Sequence, residues 1–175
     1  MSTLIRNRRA VADDFTLVKL AEGETPETAD LAALPAGPLL VPLALWQARK
    51  AELNDRRARG TPLGVWLDAG EGPEAIADEL AAFAVIGVNF PKFTDGRGYS
   101  TARLLRERYG FTGEIRAIGD VLHDQLFPLA RCGFDAFALK DGKDVERALS
   151  AFGTFDTPYQ ADAIRQEPLF RRRTA

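Results

Sequence analysis

The chain has 175 residues, 46% hydrophobic and 27% charged, enough apolar material for one globular core and too much for a disordered chain. Its 23 Lys and Arg against 25 Asp and Glu leave a formal net charge of −2, so no overall positive field draws in nucleic acid. One cysteine, Cys132, excludes an internal disulfide or a multi-cysteine zinc or iron–sulfur site within the chain.

The opening MSTLIRNRRA lacks the apolar stretch of a secretory signal, and no apolar run approaches the ~20 residues of a spanning helix. The expectation is a cytoplasmic protein with no membrane partner. Residues 1–20 carry Leu4, Val11, Phe15, Leu17 and Leu20 between charged pairs, which predicts a β-hairpin or meander turning at Asp13-Asp14. Residues 21–37 have no sustained apolar face and read as a linker.

From 38 to 152 a βα rhythm sets in. Strands are predicted at 39–41, 63–67, 85–90, 115–118 and 134–139, and helices at 43–59, 73–83, 98–109, 121–131 and 143–152. Pro73 suits a first helical position, and Gly60, Gly110 and Gly133 suit helix stops. Strands alternating with helices over short connections make right-handed βαβ units. The predicted fold is α/β: a parallel sheet of about five βα units, open or incomplete and barrel-like, preceded by the N-terminal hairpin.

The tail, 153–175, spreads Phe155, Tyr159, Leu169 and Phe170 among charges. It either lies over its own core or mediates a homodimer contact. Arg6, Arg8 and Arg9, and again Arg171, Arg172 and Arg173, form basic clusters near the ends, where solvated segments are the ordinary reading.

Parallel sheets place ligands outside the carboxyl ends of their strands. Two consecutive loops occupy such ends. The first, NFPKFTDGRGYS (89–100), has Gly96 and Gly98 for close backbone approach, with Ser100 or the backbone before it as helix cap. Arg97, Lys92 and Arg103 add positive charge at a helix start, so the physical reading is a small oxyanion site, with Asp95 and Tyr99 beside it. Ordinary turn chemistry also accounts for the glycines, and neither GxxxxGK[ST] nor GxGxxG is present.

The second loop, GDVLHDQ (119–125), holds the only histidine. Asp120 and His123 are the candidate catalytic pair, an Asp–His unit for general-base work, with Asp124 and Gln125 adjacent. Asp120 serves equally as a helix cap. One histidine with two aspartates is thin for a metal, and no metal or cofactor is expected. Cys132, at a helix end, reads as structural despite Arg131 beside it.

The run from DGRGYS at 95–100 through GDVLHDQ to RCG at 131–133 closely resembles the bacterial family catalogued as domain of unknown function 934. The likeness extends more loosely to the hairpin and to FDTPYQ. Its pattern falls here on Asp95, Gly96, Arg97, Gly98, Tyr99, Ser100, Gly119, Asp120, Asp124, Gln125, Arg131, Cys132 and Gly133. The family brings no agreed catalytic residues. Its members are often labelled oxidoreductases, and their genes commonly neighbour those of assimilatory sulfite reductase and the sulfonucleotide reductase. The resemblance therefore implies a part in sulfate and sulfite assimilation (cysteine biosynthesis). The leading expectation is an accessory protein acting with sulfite reductase or its electron donor. The alternative is an oxidoreductase or an enzyme that binds sulfite, sulfate or phosphate at 91–100 and 119–125, although the chain carries no dinucleotide fingerprint, cysteine pair or cluster-ligating set.

Overall fold

A computed structural model describes residues 3–139, 142 and 144–174. The hairpin forms from β1 (Thr3–Arg6) and β2 (Arg9–Ala12), but it turns at Asn7-Arg8, both at positive φ (50° and 60°). Asp13-Asp14 instead leaves the hairpin and leads into a two-residue strand, β3 (Thr16–Leu17). Then follow β4 (Leu39–Pro42), β5 (Leu63–Leu67), β6 (Val85–Phe90), β7 (Glu114–Gly119) and β8 (Ala136–Ala138).

The sheet has eight strands in the order β2-β1-β8-β7-β6-β5-β4-β3. It is mixed, and larger than five parallel units. Short β3 pairs in parallel with β4 as an extra member of the parallel series, and β1 joins β8 antiparallel, so the hairpin is part of the sheet.

The predicted 43–59 helix is two pieces, α1 (Leu43–Ala48) and α2 (Lys50–Ala58), broken at Arg49 (φ −122°, ψ 33°). The Arg49 guanidinium reaches the carbonyls of Glu27 and Ala29 and so pins the 21–37 linker. The segment Pro73–Ala82 winds as a 3₁₀ helix. Its three-residue period lines up Pro73, Ile76, Glu79 and Ala82: the first two are buried, Glu79 accepts the Trp46 indole N–H at 2.7 Å, and Ala82 packs on the core. After β6 comes α3 (Arg97–Glu107). The expected 121–131 helix starts late, as a 3₁₀ turn His123–Gln125 running into α4 (Leu126–Arg131). The last, α5 (Val145–Ser150), is capped by Asp144, whose carboxylate accepts from the N–H groups of Glu146 and Arg147; position 143 of the predicted helix is outside the described residues.

Six parallel strands run in sequential order, and crossovers of the usual right hand carry the helices between them on one face. Leu39, Val65, Val88, Phe90, Ile115 and Phe137 point to that face and bury against Leu53, Ala102, Leu105 and Leu129. The opposite face carries Leu40, Trp66, Val85, Arg116 and Ile118. A flat sheet of eight strands is about 34 Å from edge to edge, at roughly 4.8 Å per strand. The chain passes from β2 at one edge to β3 at the other through residues 13–15, which extend at most about 14 Å. The sheet is therefore curled into an open half-barrel. Curling crowds the inner face: a Cβ on Gly87 would sit 2.8 Å from Trp66 Cβ, and one on Gly64 would sit 2.6 Å from the Val85 carbonyl.

The 13–15 strap lies across this inner face. Phe15 packs near Leu40, Val85 and Ile118 and stacks on Arg116, whose guanidinium is 5.3 Å from the ring centre. Arg116 is 1% exposed and ion-pairs with Asp13 and Glu114, both at 2.7 Å. Arg6 of β1 pairs with Glu114 and with Asp14. A buried charged network therefore ties the strap to β7 and β1.

Candidate functional site

The two loops singled out in the sequence meet at the carboxyl ends of β6 and β7. Phe90 and Gly119 are register partners, and the Asp120 N–H donates to the Phe90 carbonyl at 2.7 Å. Gly119 has φ +94°, and a Cβ there would lie 2.4 Å from that carbonyl oxygen, so only glycine fits. Gly98 also presses on Phe90: a Cβ would sit 2.6 Å from the ring. Tyr99 and Phe134 complete an aromatic cluster on Phe90, with ring centres 5.8 and 5.9 Å away. Much of the DGRGYS and GDVL pattern is therefore shaped around one buried phenylalanine.

The polar residues of the loops fasten them together. The Asp120 carboxylate accepts the Phe93 N–H at 3.3 Å, and Gln125 Nε2 donates to the Phe93 carbonyl at 2.9 Å. The same Gln125, buried, accepts the Leu122 N–H through Oε1 at 3.0 Å. Tyr99 stands beside Gln125, and burial pushes its phenol above the ordinary 10. Phe93 is thus gripped on both sides of its backbone, yet its side chain is 54% exposed.

Arg97 opens α3 but turns back on its own loop. It makes a bidentate pair with Asp95 (Nε at 3.0 Å, Nη2 at 2.6 Å), and Asp95 also accepts the Arg97 N–H at 3.1 Å. That grip holds the Asp95 carboxyl at about 2. Asp95 is the residue that ties down the helix start; Ser100 is exposed inside the helix rather than at its cap. Asp68, at the end of β5, adds a second negative charge near Arg97 and accepts the Asn89 amide at 2.8 Å. An anion at Arg97 would have to displace one carboxylate and approach another. Lys92 is exposed on the same loop, and Arg103 pairs with Glu107 on the far side of α3's first turn.

His123 is half-buried at the head of its 3₁₀ turn, and it makes no hydrogen bond to a carboxylate of the described residues. Asp124 is exposed beside it. The loops lie side by side at the ends of consecutive strands, and among the described residues no hydrogen bond joins Asp120 to His123. Among the described residues no group of three His, Cys, Asp or Glu side chains could hold a metal ion. No helix among them is long and apolar enough to cross a membrane.

The RCG block anchors the tail. Arg131 donates through Nε to Asp162 and through Nη2 to the Gln160 carbonyl, both at 2.9 Å, while its own carbonyl accepts from Ala163. Gly133, at φ +105°, lies against the Arg106 stem. Arg106 Nε donates to the Gly133 carbonyl and Nη1 to those of Phe111 and Gly113. Cys132 is half-buried, and burial raises its thiol above the ordinary 9, the direction of a structural residue. The tail therefore packs on its own chain.

Sequence reasoning missed three features. Arg116 stood out only as one charge inside the apolar run IRAIG. Asn89 and Asp68 carried no motif. The exposure of Phe93 has no sequence signal.

The fold and loops define an α/β half-barrel protein whose strand-end loops are cross-braced around an outward-facing aromatic ring. Residues 64–170 match the family described as bacterial protein of unknown function (DUF934), and the chain belongs to that family. No curated protein matches the chain.

Proposed function

We propose that the protein is an accessory factor of assimilatory sulfate and sulfite reduction that docks on sulfite reductase or its electron donor, with Phe93 as an anchor of the contact. The observation that carries the docking reading is the treatment of Phe93. Asp120 and Gln125 fix its backbone while its ring faces solvent, and a large ring held rigidly costs little entropy to bury on a partner. The pairing of Arg97 with Asp95, and the contact of Asp120 with the Phe93 N–H, support reading these side chains as braces of the loops. The sulfur pathway itself rests on the family resemblance and its gene neighbourhood.

Burying the exposed part of Phe93, about 110 Å² of a ~200 Å² residue, is worth about 2.7 kcal/mol at ~25 cal/mol per Å². Phe93→Ala should weaken binding to purified sulfite reductase by tens of fold without changing stability. A strain lacking the gene should fail on sulfate and sulfite and grow on sulfide or cysteine. Complementation by Phe93→Ala should be poor, and by Arg97→Ala good. Normal growth on all four sulfur sources refutes the pathway. Failure of Arg97→Ala alongside full activity of Phe93→Ala favours an anion-handling or oxidoreductase role at the loops instead.

A further inference from the structure

A cavity of about 230 Å³ lies where the tail crosses α4 and the β1–β2 turn, away from the strand-end loops. Phe127, Phe152, Phe155 and Ile164 wall it, and Arg8 and Arg165 stand at its lining. The Arg8 guanidinium lies over the Phe152 ring, 5.7 Å from its centre. Three arginines and two aspartates line the cavity, but Arg131 and Asp162 neutralise each other at 2.9 Å. Two cations then face one acid, Asp156. Among the described residues neither Arg8 nor Arg165 has a carboxylate partner.

The apolar walls continue outward. Phe155 is 62% exposed and Ile164 64%, and next along the tail Tyr159 (61%) and Phe170 (54%) stack on each other. At ~200 Å² per large side chain these four offer about 480 Å² of exposed surface, well short of the ~800 Å² each partner contributes to a stable globular interface. The cavity is also below the ~300 Å³ at which small-molecule sites begin. A surface too small for a second copy and a cavity too small for a metabolite fit a short segment of chain.

We infer that this cleft is a docking site for a short segment of a protein partner, one carrying an apolar side chain flanked by carboxylates. The apolar group enters between Phe127, Phe155 and Ile164, and a carboxylate reaches Arg8 or Arg165, the residual positive charge giving the choice of sign. This deepens the docking reading by adding a second contact. Its test uses neither the reductase nor a Phe93 variant, so either can fail alone.

The test is an NMR titration of the full chain, ¹⁵N-labelled, with Ac-Asp-Phe-Glu-NH₂, Ac-Lys-Phe-Lys-NH₂ and phenylacetate. The acidic peptide should shift amides of 127–131 and 152–165 with a Kd of about 0.1–1 mM. The basic peptide should bind at least tenfold more weakly. Arg165→Glu, at an exposed position, should weaken the acidic peptide at least fivefold and leave the remaining spectrum intact. Equal binding of both peptides, or indifference to Arg165→Glu, overturns the inference. Phenylacetate binding as tightly as the acidic peptide overturns it in favour of a free carboxylate ligand. Concentration-dependent sedimentation abolished by Phe155→Asp overturns it in favour of a second copy.

Discussion

Replacing Arg116 by Met keeps an apolar stem and removes a buried charge that holds the strap across the half-barrel. The lost contacts are the ion pairs with Asp13 and Glu114, each at 2.7 Å, and the stacking on Phe15. Breaking a buried ion pair from one side costs about 3–5 kcal/mol. The low end applies here, because Glu114 keeps Arg6 and Asp13 keeps the Phe15 N–H, and each carboxylate side chain is 14% exposed. A loss of about 3 kcal/mol should lower Tm by roughly 6–12 °C in a chain of this length. Urea unfolding followed by tryptophan fluorescence measures it, since Trp66 faces the same inner surface and donates to the Val18 carbonyl at 3.0 Å. A double-mutant cycle with Asp13→Asn should give a coupling above about 1 kcal/mol. Arg116→Met within about 0.5 kcal/mol of wild type, or strict additivity with Asp13→Asn, would refute the view that this network holds the strap across the half-barrel.

Gly119→Ala should destabilise by about 3 kcal/mol or more, combining a left-handed backbone with a Cβ 2.4 Å from the Phe90 carbonyl, and chemical denaturation reads it directly. Gly98→Ala should cost about 1–3 kcal/mol by overpacking Phe90, and Phe90→Leu in the same chain should recover part of the loss. The Asp95 carboxyl should titrate near 2 by carbon-detected NMR and return towards its ordinary 3.8 in Arg97→Ala. Because its folded value is depressed, Asp95's contribution to stability is present above pH 4 and disappears as pH falls through about 2. Burial pushes Asp162 up, but Arg131 and two backbone N–H groups bring it below its usual value, so acid should loosen the tail first and Asp162→Asn should expose the Phe155–Tyr159 region to limited proteolysis at neutral pH.

Much of the fold was written in local pattern. The apolar runs LGVWL and VIGVNF gave β5 (Leu63–Leu67) and β6 (Val85–Phe90) with their observed ends, because strands covered on both faces read as continuous hydrophobic segments. Glycine stops ended α2 and α3 as expected, and the consecutive order of strands brought the loops after β6 and β7 together. Local pattern failed where a long-range partner decided the conformation. Helix propensity over 73–82 yielded to a three-residue period that aligns Glu79 with Trp46, 33 positions away. Arg97, read as a ligand donor, found Asp95 two residues back.

The sequence by itself determined the α/β class, the order of the βα units and the placing of the motif loops at strand ends, since these follow from periodicity and chain connectivity. The tertiary structure alone decided that the sheet curls, that Phe93 is held out to solvent, and that Arg116 is a latch. Arg116 meets Asp13 across 103 positions of sequence, and no local spacing encodes a contact made only when opposite edges of a sheet approach each other.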